Sequence, residues 1–104
     1  MAALYHQASR IDAVELNPQM VGLVCEHYAD YAGHICERGD TQIHIAEARG
    51  FLAAGGEPYD LIHVALLDSF NASAAGVYAL HESNLYTIEA MGAYLGRLAP
   101  GGIL

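Results

Sequence analysis

The sequence predicts an α/β fold built on a parallel sheet, and two observations predict it. Segments with strand character alternate with segments of helical spacing along the whole chain. The stretch Tyr59 to Leu67, YDLIHVALL, is almost wholly apolar, as a parallel strand covered on both faces must be.

Each element can be justified in turn. Ala3 to Ser9 (ALYHQAS) is mildly helical and has no start signal, so it reads as the end of a helix. Arg10 to Leu16 (RIDAVEL) is a strand. Asn17 then offers an N-cap and Pro18 a first helical position, where its lack of an N–H is harmless. Met20, Val21, Val24, Tyr28 and Tyr31 follow at helical spacing, and Gly33 supplies a stop. HICERGD is a loop. Thr41 to Ala46 (TQIHIA) is a strand, EARGFLAA a short helix and GGEP a turn. Beyond the Tyr59 strand comes a loop of small residues, DSFNASAAG. NLYTIEAMGAYLGRL is a helix with Leu85, Ile88, Met91 and Leu95 along one stripe, and APGGIL turns into a further strand. The order is (α)βαβαβα(β), with right-handed crossovers expected. Both ends fall inside elements, so residues 1–104 are expected to form a single incomplete domain, a piece of a larger one.

Composition narrows the function. With 54% hydrophobic and 15% charged residues, the chain has the makings of a core. Twelve acids stand against four arginines and no lysine, a net charge of −8. Such a chain lacks the cationic footprint that holds phosphate backbones or anionic lipid, which argues against a nucleic-acid partner. No apolar run approaches the length of a membrane span, so no membrane contact by this chain is expected. Nothing resembling a secretory signal precedes Cys25 and Cys36, which predicts free thiols and a reducing, cytoplasmic setting.

Three acids stand where an α/β sheet binds ligands, at the carboxyl ends of strands: Glu15, Glu47 and Asp68. Glu15 has the two oxygens needed to accept from both hydroxyls of a ribose. Glu47 can accept from an exocyclic amine such as that of adenine. Asp68 heads a loop long enough to close over a substrate, where a carboxylate can hold an amine or take its proton.

VELNPQMVGLV, IHIAEARGFL, YDLIHVALLDSF and LYTIEAMGAYLGRLAPGGIL, taken in this order over nearly the whole chain, resemble the middle of a spermidine synthase. More broadly they are similar to the class I S-adenosylmethionine-dependent methyltransferase fold. The resemblance implies a partial Rossmann-like parallel sheet of three to four strands flanked by helices. It implies S-adenosylmethionine or decarboxylated S-adenosylmethionine as cofactor, with Glu15 on the ribose hydroxyls and Glu47 with Ala48 at the adenine. It further implies a small-molecule amine substrate, aminopropyl transfer in polyamine biosynthesis and Asp68 as the catalytic carboxylate. Two departures stand out. The family's first strand and glycine-rich loop do not precede Ala3, and Ala65 occupies the first position of the family's D-x-x-D pair, leaving only Asp68. The 104 residues are therefore expected to be inactive alone and, with the central strand absent, to form a homo-oligomer through strand edges. Small-molecule methyl transfer is the alternative chemistry, and a non-catalytic nucleoside-binding or assembly module is the alternative of a different class.

The remaining candidates have plainer readings. Cys25-x-His27 and His34-x-Cys36 are the best metal-ligand spacings present, but residues two apart on a helix do not share a face, so no metal is expected. His44 and His63 lie in strands and read as packed, hydrogen-bonded side chains. Ser69 and Ser73 have no nucleophile setting. Tyr78, Tyr86 and Tyr94 fall at eight-residue spacing and read as packing.

Overall fold

The structure, a computed structural model, describes residues 2–65 and 84–104. The chain divides into two units, Met1–Ala48 and Arg49–Leu104. The described residues are mixed helix and strand, with two parallel sheets of two strands each. This is compatible with the α/β class read from the sequence.

In the N-terminal unit, a short helix α1 (Ala2–Tyr5) precedes strand β1 (Ile11–Glu15). β1 pairs in parallel with β2 (Thr41–Ile45), in unbroken register from Ile11 opposite Thr41 to Glu15 opposite Ile45. Helix α2 (Pro18–Gly22) starts as the sequence demands: the Asn17 side chain accepts from the Gln19 N–H and Pro18 holds the first position. The helix does not run on to Gly33. It passes into a π-helical turn, Leu23–His27, closed by the Tyr28 N–H to the Leu23 carbonyl at 2.8 Å. Gly33 does end the segment, with φ of +68°, and His34 follows in the same left-handed region at +52°. A 3-10 turn, Ile35–Glu37, leads into β2.

The free-thiol expectation is corrected here. Cys25, within the π turn, and Cys36, within the 3-10 turn, form a disulfide with their Cα atoms 5.5 Å apart. That separation lies in the range a disulfide bridges without backbone movement. Sequence spacing could not show that the loop between them turns back on itself.

In the C-terminal unit, α3 (Ala48–Ala53) starts at the unit boundary and ends in the Gly55–Gly56 turn, both residues at positive φ. β3 (Tyr59–Leu61) pairs in parallel with β4 (Leu98–Ile103). Only Tyr59 opposite Leu98 and Leu61 opposite Ile103 are in register, so β4 bulges between them. Gly101 takes φ of +80° there, and a Cβ on Gly102 would stand 3.0 Å from the carbonyl oxygens of Tyr59 and Ala99. The bulge therefore needs glycine at both positions. The strand expected from Tyr59 to Leu67 is regular only as far as Leu61, and Leu61 is 57% exposed. Leu66 and Leu67, and the DSFNASAAG loop, lie outside the described residues.

Helix α4 (Ile88–Gly96) is capped by Thr87, whose hydroxyl accepts from the Ala90 N–H, and follows a 3-10 turn at Asn84–Tyr86. Glu89, in its first turn, is held below the ordinary carboxylate value by its own backbone N–H and the Thr87 hydroxyl. The buried face of α4 is not the Leu85, Ile88, Met91 and Leu95 stripe. Ile88 and Leu95 are largely exposed, while Ala90, Tyr94 and Arg97 are buried. Ala90 and Tyr94 form the core with Leu52 and Ile62, flanked by Phe51, Tyr59, Val64 and Leu98. Small Ala90 lets the helix approach closely, and the Tyr94 hydroxyl donates to the Leu85 carbonyl at 2.9 Å, which makes its burial tolerable.

Arg97 closes this unit. Its Nη1 donates to the Leu52 carbonyl at 3.3 Å and its Nη2 to the Glu57 carbonyl at 3.0 Å, while its guanidinium lies 5.2 Å from the Tyr59 ring centre. It thus caps the end of α3 and fixes the turn into β3. Replacing Arg97 by alanine should lower stability by about 3 kcal/mol in urea denaturation, because two carbonyls lose a charged donor. Lysine, which cannot span both acceptors with a planar fork, should restore less than half of that loss.

Candidate functional site

The sheet of the N-terminal unit places two sequence-selected acids at one edge. Glu15 ends β1 and faces Ile45 of β2, and the Ala46 N–H donates to the Glu15 carbonyl at 3.1 Å. Glu47 and Ala48 follow immediately, so Glu15, Glu47 and Ala48 all lie at the carboxyl edge of a single parallel sheet. Glu15 is exposed; Glu47 and Ala48 are half-buried. One Glu15 oxygen accepts from the Asn17 N–H at 2.8 Å, and the Asn17 side chain accepts in turn from Gln19 at 2.9 Å. These nested bonds aim the Glu15 carboxylate over the start of α2. Asp68, the catalytic carboxylate of the sequence reading, lies outside the described residues, as do Ser69, Ser73 and Tyr78.

The opposite face of the same sheet carries residues that sequence reasoning passed over. Successive residues of a strand alternate in face, so Arg10, Asp12 and His44 share one. Asp12 is almost fully buried, its side chain 4% exposed. Its two oxygens meet Arg10 Nε at 2.8 Å and His44 Nε2 at 2.7 Å. A carboxylate can only accept, so His44 carries its proton on Nε2. The signal was an Arg-x-Asp pair on one strand. Its cross-strand partner is fixed only by the register. His44 is thus hydrogen-bonded as expected, whereas His63 lies past the end of β3 and is exposed.

The other edge and the crossover are also held by charge. Arg38 grips Asp40 through Nε at 2.9 Å and Nη2 at 2.7 Å, which holds the Asp40 carboxyl below its ordinary value. His34 stands between Glu37, 3.1 Å from Nδ1, and Asp30, 2.9 Å from Nε2. The Glu37 hydrogen bond and charge, then the Asp30 bond, raise the His34 imidazole above its ordinary 6.5. A cavity of about 610 Å³ runs along α2 and the π turn, lined by Gln19, Gly22, Leu23, Glu26 and His27. Neither Glu15 nor Glu47 is among its lining residues.

Among the described residues no group of three or more His, Cys, Asp or Glu side chains converges as metal ligands would, and no helix is long and apolar enough to cross a membrane. In the C-terminal unit, the Tyr86 hydroxyl donates to the Ala65 carbonyl at 3.3 Å, so Tyr86 reaches the chain just past β3 instead of packing in the core.

The raised His34 value fixes the sign of a pH effect. Its contribution to stability is fully present below 6.5 and is lost as pH rises through the raised folded value. Titration of the histidine ring protons by NMR should give His34 a midpoint above its ordinary 6.5, and Glu37→Gln should lower it. A His34 midpoint unmoved by Glu37→Gln would contradict the pairing.

Comparison with known proteins finds no matching family model and no significantly similar curated protein or solved structure.

Proposed function

We propose that this chain carries the nucleoside-binding part of a spermidine-synthase-like site, in a Rossmann-like arrangement whose cofactor is S-adenosylmethionine or its decarboxylated form. The observation that supports the reading is the β1–β2 register, which puts Glu15, Glu47 and Ala48 at one carboxyl edge. Glu15 accepts from the ribose hydroxyls, and Glu47 with Ala48 meets the adenine. In the complete site an amine attacks a carbon bonded to sulfonium, a reaction that needs in-line positioning and a neutral nucleophile. Asp68 is the residue proposed to anchor that amine or accept its proton. Ala65, at the place of a second aspartate, makes polyamine synthesis the harder form of the reading, with small-molecule methyl transfer as its neighbour. The setting proposed is cytoplasmic.

No glycine-rich strand-turn lies ahead of β1 in these 104 residues, so the chain alone is proposed to lack turnover and to hold the nucleoside weakly. Calorimetry with 5′-methylthioadenosine, which has no amino-acid tail to support, should give a dissociation constant of about 1 mM, or roughly −4 kcal/mol. Glu15→Gln should abolish that signal. Equal binding by wild type and Glu15→Gln would end the reading.

Homo-oligomerisation belongs to the same proposal. Among the described residues each sheet has two strands, so each strand has one edge without a ladder partner there, and open parallel edges recruit further strands. Sedimentation at about ten micromolar should give a dimer or larger species, since strand edges are association sites. A single species of 11.1 kDa would refute strand-edge assembly.

A further inference from the structure

We propose that Cys25–Cys36 is a reversible thiol–disulfide latch that sets the helical register of the segment following α2. Three features of the N-terminal unit carry this together. The bond joins the middle of a π-helical turn to the middle of a 3-10 turn, with eleven residues of sequence separation. The π turn begins directly where α-helical geometry ends, at Leu23, and no proline lies within it to force the change. Both cysteines are half-buried, so a small dithiol can reach the bond.

A π turn holds one more residue than an α turn, and such turns occur mostly as single insertions where something local requires them. Here the tie to Cys36 is the local requirement. With the tie cut, the Tyr28 N–H is free to exchange its five-residue bond to Leu23 for the ordinary four-residue bond. Removing one residue from the turn rotates the rest of the segment by about 100° around the helix axis. Glu26 and His27, which line the cavity beside α2, are the residues re-aimed. The β1–β2 ladder is held independently, by its own hydrogen bonds and by the Arg10–Asp12–His44 and Arg38–Asp40 contacts. The latch therefore opens locally.

The chemistry is ordinary exchange with a dithiol. A thiolate of the reductant attacks one sulfur and forms a mixed disulfide, and the other cysteine leaves as thiolate. The reductant's second thiolate then displaces the remaining cysteine. The protein gains two electrons and two protons as two thiols, and the reductant becomes a cyclic disulfide.

The test uses the whole chain with dithiothreitol and a maleimide. The unreduced chain, denatured, should offer no alkylatable thiol, and after reduction both cysteines should react while the chain is folded. Amide exchange from Leu23 to Glu37 should quicken by about tenfold or more on reduction, with β1 and β2 amides keeping their protection. Oxidation should restore the slow exchange. The Cys25→Ser/Cys36→Ser double variant should match the reduced profile without any reductant. Reactive thiols in the unreduced chain would overturn the latch. So would exchange unchanged by reduction, a double variant that matches the oxidised profile, or loss of β1 and β2 protection along with the segment.

Discussion

The parallel ladder between β1 and β2 is the constraint on which the N-terminal unit depends. A slip of one residue would turn every side chain of β1 to the other face. Asp12 would leave Arg10 and His44 for solvent, and Glu15 would no longer sit above α2. Because the strands are parallel, the chain must return across the sheet before pairing again. That return, from Leu16 to Asp40, is where α2, the π turn and the disulfide lie. Pairing, charge cluster and crossover are thus consequences of one register, and so is the edge that presents Glu15 and Glu47.

The C-terminal unit solves a different problem. Its core is small, and it joins a helix end, a glycine turn and two strands that are in register at only two positions. Arg97 supplies what they lack. Its acceptors are carbonyls and not acids, although the chain has three times as many acids as arginines. Carbonyls at a helix end carry partial negative charge, so a buried guanidinium there is favoured without a carboxylate partner. A side chain on Gly56 would meet the guanidinium at 3.0 Å, so the turn and the arginine are matched to each other.

Local signals were legible where one residue decides one bond. Asn17 and Pro18 specify the start of α2, Gly33 marks the left-handed turn that closes the segment after it, and the strand ends that place Glu15 and Glu47 follow from apolar pattern alone. Long-range choices were not. The α4 stripe of large apolar residues was the natural candidate for burial, yet the structure buries Ala90, Tyr94 and Arg97, because close approach and hydrogen bonding outweigh side-chain size. The burial of Asp12 depends on the register, which brings His44 beside it. The pairing of Cys25 with Cys36 depends on a reversal at Gly33 and His34, whose left-handed backbone at a histidine no spacing rule announces. Asp68, by contrast, can be placed only by its position in the sequence.

One further property arises from where apolar surface is buried. Every fully buried hydrophobic side chain among the described residues belongs to the C-terminal unit. The heat capacity of unfolding grows with the apolar area that unfolding exposes. The two halves therefore carry differently shaped stability curves. The C-terminal unit has the more strongly curved one, weakening on cooling as well as on heating. The N-terminal unit, held by backbone pairing, charge and a covalent tie, has the flatter curve with temperature and the greater sensitivity to ionic strength.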